Sequence, residues 1–121
     1  MAKILVVDDE KMICEEFRDI LQEDGHQVDV AFGGFEALDK VKVTKYDIIF
    51  LDVLMPRMEG REVFEKIKQI NDTPVAIMSG YIPPNKEKEI LALGAIACLR
   101  KPLELARVRS IVAGLQGPKT N

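Results

Sequence analysis

The chain reads as an α/β protein: a five-stranded parallel sheet in the order 2-1-3-4-5, with helices on both faces. Three observations predict this. Short apolar runs alternate with helix-like stretches five times along the 121 residues. The connections between them are short, which suits right-handed β-α-β units and a parallel sheet. The run Ile48-Ile49-Phe50-Leu51 has no polar break, as expected of a central strand buried on both faces.

Ile4 to Val7 is the first strand, and Asp8-Asp9-Glu10 follows it. A helix comes next, with Ile13, Phe17, Ile20 and Leu21 on one face, and Asp24-Gly25 stops it. Gln27 to Phe32 is the second strand. Val28 and Val30 alternate there with polar neighbours, the pattern of a half-buried edge. Gly33-Gly34 turns into a second helix carrying Phe35, Leu38 and Val41. The third strand, Ile48 to Leu51, ends in Asp52, and Pro56 and Gly60 mark the loop after it.

The third helix presents Val63, Phe64, Ile67 and Ile70. Asn71-Asp72-Thr73-Pro74 is a loop, and Val75 to Met78 the fourth strand. Pro83-Pro84 suits the first turn of a fourth helix, where proline loses no needed hydrogen bond. Ile90, Leu91 and Leu93 give that helix an apolar face, and Gly94 ends it. Ala97 to Leu99 is a short fifth strand. Pro102 starts the last helix, with Leu105, Val108, Val112 and Leu115 at helical spacing.

The length predicts one domain, residues 1–116, followed by a short tail, 117–121. A formal net charge of −3 gives no basic footprint for nucleic acid. The two cysteines, Cys14 and Cys98, make neither a disulfide framework nor a metal motif, and read as reduced core thiols of a cytoplasmic protein. No run is long enough for a signal peptide or a membrane span. His26, beside Gly25, reads as a solvated loop residue, and Lys86-Glu87-Lys88-Glu89 as a solvated helix face.

Parallel strands finish on one edge, so the residues after each strand should meet. These are Asp8 and Asp9 after the first strand, Asp52 after the third, Ser79 after the fourth and Lys101 after the fifth. They converge where strands one and three lie side by side, the point at which open α/β sheets place their chemistry. Alone, Asp8-Asp9 would read as acids capping a helix. Together, three carboxylates against one lysine leave an excess of negative charge, and each raises the pKa of the others. A divalent cation removes the conflict. Oxygen ligands with no histidine or cysteine among them favour Mg²⁺ (or Mn²⁺), with Asp9 and Asp52 ligating directly and Asp8 through water. A carboxylate so placed suits phosphoryl transfer, as an acceptor nucleophile flanked by a metal, a lysine and a hydroxyl.

Four motifs, Val6-Val7-Asp8-Asp9-Glu10, Asp52 with Met55-Pro56 and Gly60, Met78-Ser79-Gly80, and Lys101-Pro102, resemble the receiver domain of two-component response regulators over residues 3–115. The resemblance implies a chemotaxis-regulator type of fold, related to flavodoxin. It implies that Asp52 accepts a phosphoryl group from a sensor histidine kinase or a histidine phosphotransfer domain. Mg²⁺ would be held by Asp8, Asp9, Asp52 and the Leu54 backbone carbonyl. Ser79 would move onto the phosphoryl group, Lys101 would pair with it, and the Lys101–Pro102 bond would be cis. The fourth helix, fifth strand and fifth helix would form the signalling face, read by a downstream protein or by an output domain, with no direct nucleic-acid or membrane binding. Such a domain is not an enzyme in the usual sense, since it catalyses only its own phosphorylation and dephosphorylation.

Two departures stand out. Cys98 occupies the place of the aromatic residue three before the lysine, and Leu103 that of the phenylalanine after Lys-Pro. Tyr81 is the nearby residue that could take over the aromatic's role, and Leu54 and Tyr81 flank the expected path of attacking water. The competing reading is a small Mg²⁺-dependent phosphohydrolase with an aspartate nucleophile, but such enzymes need a cap or extra loops for which this chain has no spare residues. A flavin-binding module on the same layout is disfavoured, because the acids would repel its phosphate.

Overall fold

The computed structural model describes residues 2–53, 60–80 and 84–116. Its elements are β1 (Lys3–Val7), α1 (Lys11–Glu23), β2 (Gln27–Ala31), α2 (Gly34–Val43), β3 (Ile48–Asp52), α3 (Gly60–Ile70), β4 (Val75–Ser79), α4 (Pro84–Ala92), β5 (Ala97–Arg100) and α5 (Leu105–Gln116). The strands form one sheet in the order β2-β1-β3-β4-β5, every pair parallel. β3 and β4 are buried at every residue, as their unbroken apolar runs require, and the alternating β2 lies at an edge.

Side chains alternate across the sheet and divide the core in two. Leu5, Val7, Ile49, Leu51 and Ile77 point to the side covered by α2 and α3, where Leu38, Val41, Val63, Phe64 and Ile67 meet them. Ile4, Val6, Ile48, Phe50 and Met78 point to the side covered by α1 and α5, where Cys14, Phe17, Leu21, Val108 and Val112 close over them. On α1 the buried positions 14, 17 and 21 follow helical spacing, and the Phe17 ring lies 4.9 Å from that of Phe50 at 49°, a tilted aromatic pair. Gly25 and Gly94 follow α1 and α4 with φ of +93° and +112°, the left-handed turn that glycine makes without strain.

Several sequence expectations are corrected. The last helix begins at Leu105 rather than Pro102, because the first turn closes on the Glu104 carbonyl, which accepts from the Arg107 and Val108 N–H groups. β2 ends at Ala31, one residue before Phe32. Phe35 is 62% exposed, because α2 turns Gly34, Ala37, Leu38 and Val41 inward. Among the described residues of α4, Ile90 packs on the core, while Leu91, and Leu93 just past the helix, are exposed. His26 is not simply solvated: its Nδ1 accepts the Ala2 N–H at 3.0 Å. The charge run on α4 is largely exposed, as expected, and within it Glu87 pairs with Arg100 at 3.0 Å. The expected roles of Leu54, Met55, Pro56, Tyr81 and Pro83, and the tail 117–121, lie outside the described residues.

Candidate phosphoacceptor and metal site

The carboxyl ends of β1, β3, β4 and β5 bring the sequence-predicted residues together. Val7 pairs with Leu51 in register, so Asp8 leaves β1 beside Asp52, the last residue of β3. Asp52 is in register with Met78, which puts Ser79 one step further along β4. Ser79 pairs with Arg100, and its carbonyl accepts the Lys101 N–H at 2.8 Å. Two neighbouring strand pairings thus deliver Lys101 to the acids, and the Lys101–Pro102 peptide is cis, as expected.

The Lys101 ammonium is the hub. Its Nζ lies 2.7 Å from Asp8 Oδ2, 3.0 Å from Asp52 Oδ2, to which it donates a hydrogen bond, and 3.6 Å from Glu10 Oε1. Asp8 is fully buried and Asp52 only 3% exposed, so the pairs sit largely out of water. Burial alone would lower the lysine's pKa. The hydrogen bonds and charges of Asp8 and Asp52 outweigh it and hold the ammonium above its ordinary value.

The acids are not engaged in helix capping. Glu10 is the N-cap of α1 and makes no side-chain cap bond, and no acid lies in the helix's first turn. Asp8 Oδ1 instead accepts the Glu10 N–H at 3.0 Å. Asp8 Oδ2, deeply buried, has the Lys101 ammonium at 2.7 Å, a charge-assisted contact. One oxygen from each of Asp8, Asp9 and Asp52 lies within 4.8 Å of the others, with Asp9 exposed to solvent. Three carboxylates, Asp8, Glu10 and Asp52, therefore share one ammonium, with Asp9 beside Asp8 and Asp52. The donors are oxygens only and one face is open to water, a set that fits a hard divalent ion.

Sequence reasoning missed two contacts. Glu10 approaches Lys101 at 3.6 Å; its place directly after Asp8-Asp9 is the available signal. Cys14 Sγ lies 3.3 Å from the Asp8 carbonyl oxygen, tying α1 to the acid loop, and burial together with the Asp8 charge pushes the thiol pKa up to about 12. No sequence pattern marks that contact.

The family model described as the response regulator receiver domain matches residues 4–113. The chain belongs to that family of two-component signalling domains. A homolog of the transcriptional regulatory protein CpxR from Haemophilus influenzae is 32% identical over 125 residues, covering all of this chain and 55% of that protein. The transcriptional regulatory protein ZraR from Klebsiella oxytoca is 36% identical over 107 residues, covering 88% of this chain and 24% of that protein. The chain spans about half the length of the first curated relatives it matches. Among solved structures, the receiver domain of Francisella response regulator 1452 superposes with a TM-score of 0.89 at 33% identity, over 95% of this chain and 96% of that one. Vibrio cholerae chemotaxis protein CheY4 gives 0.86 at 33% identity, over 95% and 98%. Among the described residues, no helix is long and apolar enough to cross a membrane.

Proposed function

We propose that Asp52 is the phosphoryl acceptor of this receiver, with a phosphohistidine of a sensor kinase or phosphotransfer domain as donor. The observation that supports it is the convergence of Asp8, Asp9 and Asp52 on one point, with a single lysine bridging two of them. An Asp52 carboxylate oxygen attacks phosphorus, the P–N bond breaks, and its electron pair returns to the imidazole, which takes up a proton. Hydrolysis reverses the state: water attacks phosphorus and releases inorganic phosphate and the Asp52 carboxylate.

Mg²⁺ (or Mn²⁺) held by Asp8, Asp9, Asp52 and the Leu54 carbonyl would supply the positive charge that offsets the phosphoryl oxygens. Lys101 keeps the Asp52 carboxylate oriented and exchanges that contact for the phosphoryl group once it arrives. Ser79, fully buried at the end of β4, supplies a hydroxyl donor beside it. The swap carries to α4, β5 and α5, because Lys101 is joined through Arg100 to Glu87 on α4. Residues 1–116 form the receiver and 117–121 a tail. The protein works in the cytoplasm and passes the signal to a protein target or to an output domain of a longer chain.

Incubation with acetyl phosphate and Mg²⁺ should add one phosphoryl group to the intact mass, and Asp52→Asn should add none. Continuous phosphate release from simple monoesters, with no phosphorylated protein accumulating, would instead select the phosphohydrolase reading.

A further inference from the structure

Away from the acid edge, α2 and α3 leave a groove of about 350 Å³ between them. Phe35, Leu38 and Ile70 supply its apolar wall, and Lys42 and Lys66 stand on the two helices beside it with Asp39. Its volume lies within the range of roughly 300 to 1,000 Å³ typical of binding pockets. Scattered surface leucines need no explanation. Here three apolar side chains share one concavity, and Phe35, a large aromatic on the first turn of α2, is left 62% exposed.

The charges around it are the second observation. Lys42 and Lys66 have no ion-pair partner among the described residues, so both ammonium groups stand free at the rim. Two unpaired ammonium groups against one carboxylate give the rim a positive balance. An apolar floor with a positive rim complements an apolar stripe edged with acids. The groove is bounded by two helices that lead off neighbouring β-α units on the same face of the sheet, and a third helix can lie along such a depression with anchors at i, i+3, i+4 and i+7.

We propose that the α2–α3 groove docks an amphipathic helix of a partner protein whose leucine-type anchors are flanked by aspartate or glutamate. This surface is separate from the α4, β5 and α5 face proposed for the phosphorylation signal, and it stands whether or not Asp52 is the acceptor. The groove and the acid cluster share no residue, and the proposed docking involves no phosphoryl group.

The test uses the full chain, labelled with ¹⁵N, and a stapled peptide helix with leucines at i, i+3, i+4 and i+7 and glutamates beside them. Its counterpart carries lysine in place of every glutamate. The expected result is amide shifts confined to α2 and α3, and a loss of affinity of at least about tenfold, near 1.4 kcal/mol, in K42E/K66E and in Phe35→Ala. These side chains are exposed, so the variants should keep the wild-type thermal midpoint and the wild-type gain of mass with acetyl phosphate. The lysine peptide should bind wild type at least tenfold more weakly. No binding at millimolar peptide, shifts centred on α4 and α5, or an affinity indifferent to K42E/K66E would each overturn the proposal.

Discussion

At the amino-terminal end of the sheet, polar groups close on one another in local pairs. The Lys3 N–H donates to Asp47 Oδ2 at 2.8 Å, and the Asp47 N–H returns to the Lys3 carbonyl at 2.7 Å. Ala2 donates to His26, the Tyr46 hydroxyl to Asp29 Oδ2 at 2.6 Å, and Lys68 to the Thr73 carbonyl. At the carboxyl end of the same strands, Asp8, Glu10 and Asp52 crowd around one ammonium, and Asp9 lies beside Asp8 and Asp52. The first end uses polar groups to fix the chain. The second gathers acids about Lys101, which alone among the described lysines and arginines has ion pairs with three of them. Local stability does not call for such crowding, and the proposed divalent-ion site would use it.

The sharpest way to break this contrast is to remove the shared cation. Lys101→Met should destabilise the fold at neutral pH by about 3 kcal/mol, the usual cost of leaving buried charges unpaired. Millimolar Mg²⁺ should restore part of the loss, since a cation then replaces the ammonium. Urea unfolding with and without Mg²⁺ measures both quantities; a loss that Mg²⁺ leaves untouched would mean that the acids do not form a cation site.

The opposite end should respond differently. Tyr46→Phe removes the hydroxyl that Asp29 accepts, at a cost of about 1 to 2 kcal/mol, and Mg²⁺ should not alter it. Burial, then the Asp29 hydrogen bond and charge, hold the Tyr46 pKa above its ordinary value of 10.0. The folded state therefore keeps the proton longer than the unfolded chain. The stabilisation is complete below about pH 10 and declines as pH rises beyond it. Wild type should lose stability to alkali more steeply than Tyr46→Phe in that window, as urea midpoints against pH will show.

How much of this was legible in the sequence depended on how local the cause was. The strands, their order and the gathering of Asp8, Asp9, Asp52, Ser79 and Lys101 could be read because a parallel sheet sends all strand ends to one edge. The orientation of Phe35 could not, since α2 has more apolar residues than one stripe holds and packing against the sheet decides which go inward. The start of α5 was misplaced because Pro102 looks like a helix opener, whereas the hydrogen bonds begin at Glu104. The partners of His26 and Glu87, Ala2 and Arg100, could not be read because they lie 24 and 13 positions away, beyond any helical or strand period.

A smaller effect tests how the two ends differ in reach. Glu87→Gln breaks an exposed pair with Arg100 and should cost about 0.5 kcal/mol or less, shrinking further in high salt. Its effect should appear instead in amide shifts of α4 on phosphorylation, which should weaken in the variant while the acetyl phosphate mass gain is unchanged. An unaltered α4 response would detach Arg100 from the signal.

The most direct test of the central claim is to locate the phosphoryl group. The protein, charged with acetyl phosphate and Mg²⁺, is reduced with borohydride, which converts an aspartyl phosphate to homoserine, and the digest is sequenced by mass spectrometry. The account predicts homoserine at position 52 only, dependent on Mg²⁺ and absent when the metal is chelated. Homoserine at position 8 or 9, or labelling that persists without a divalent cation, would contradict it.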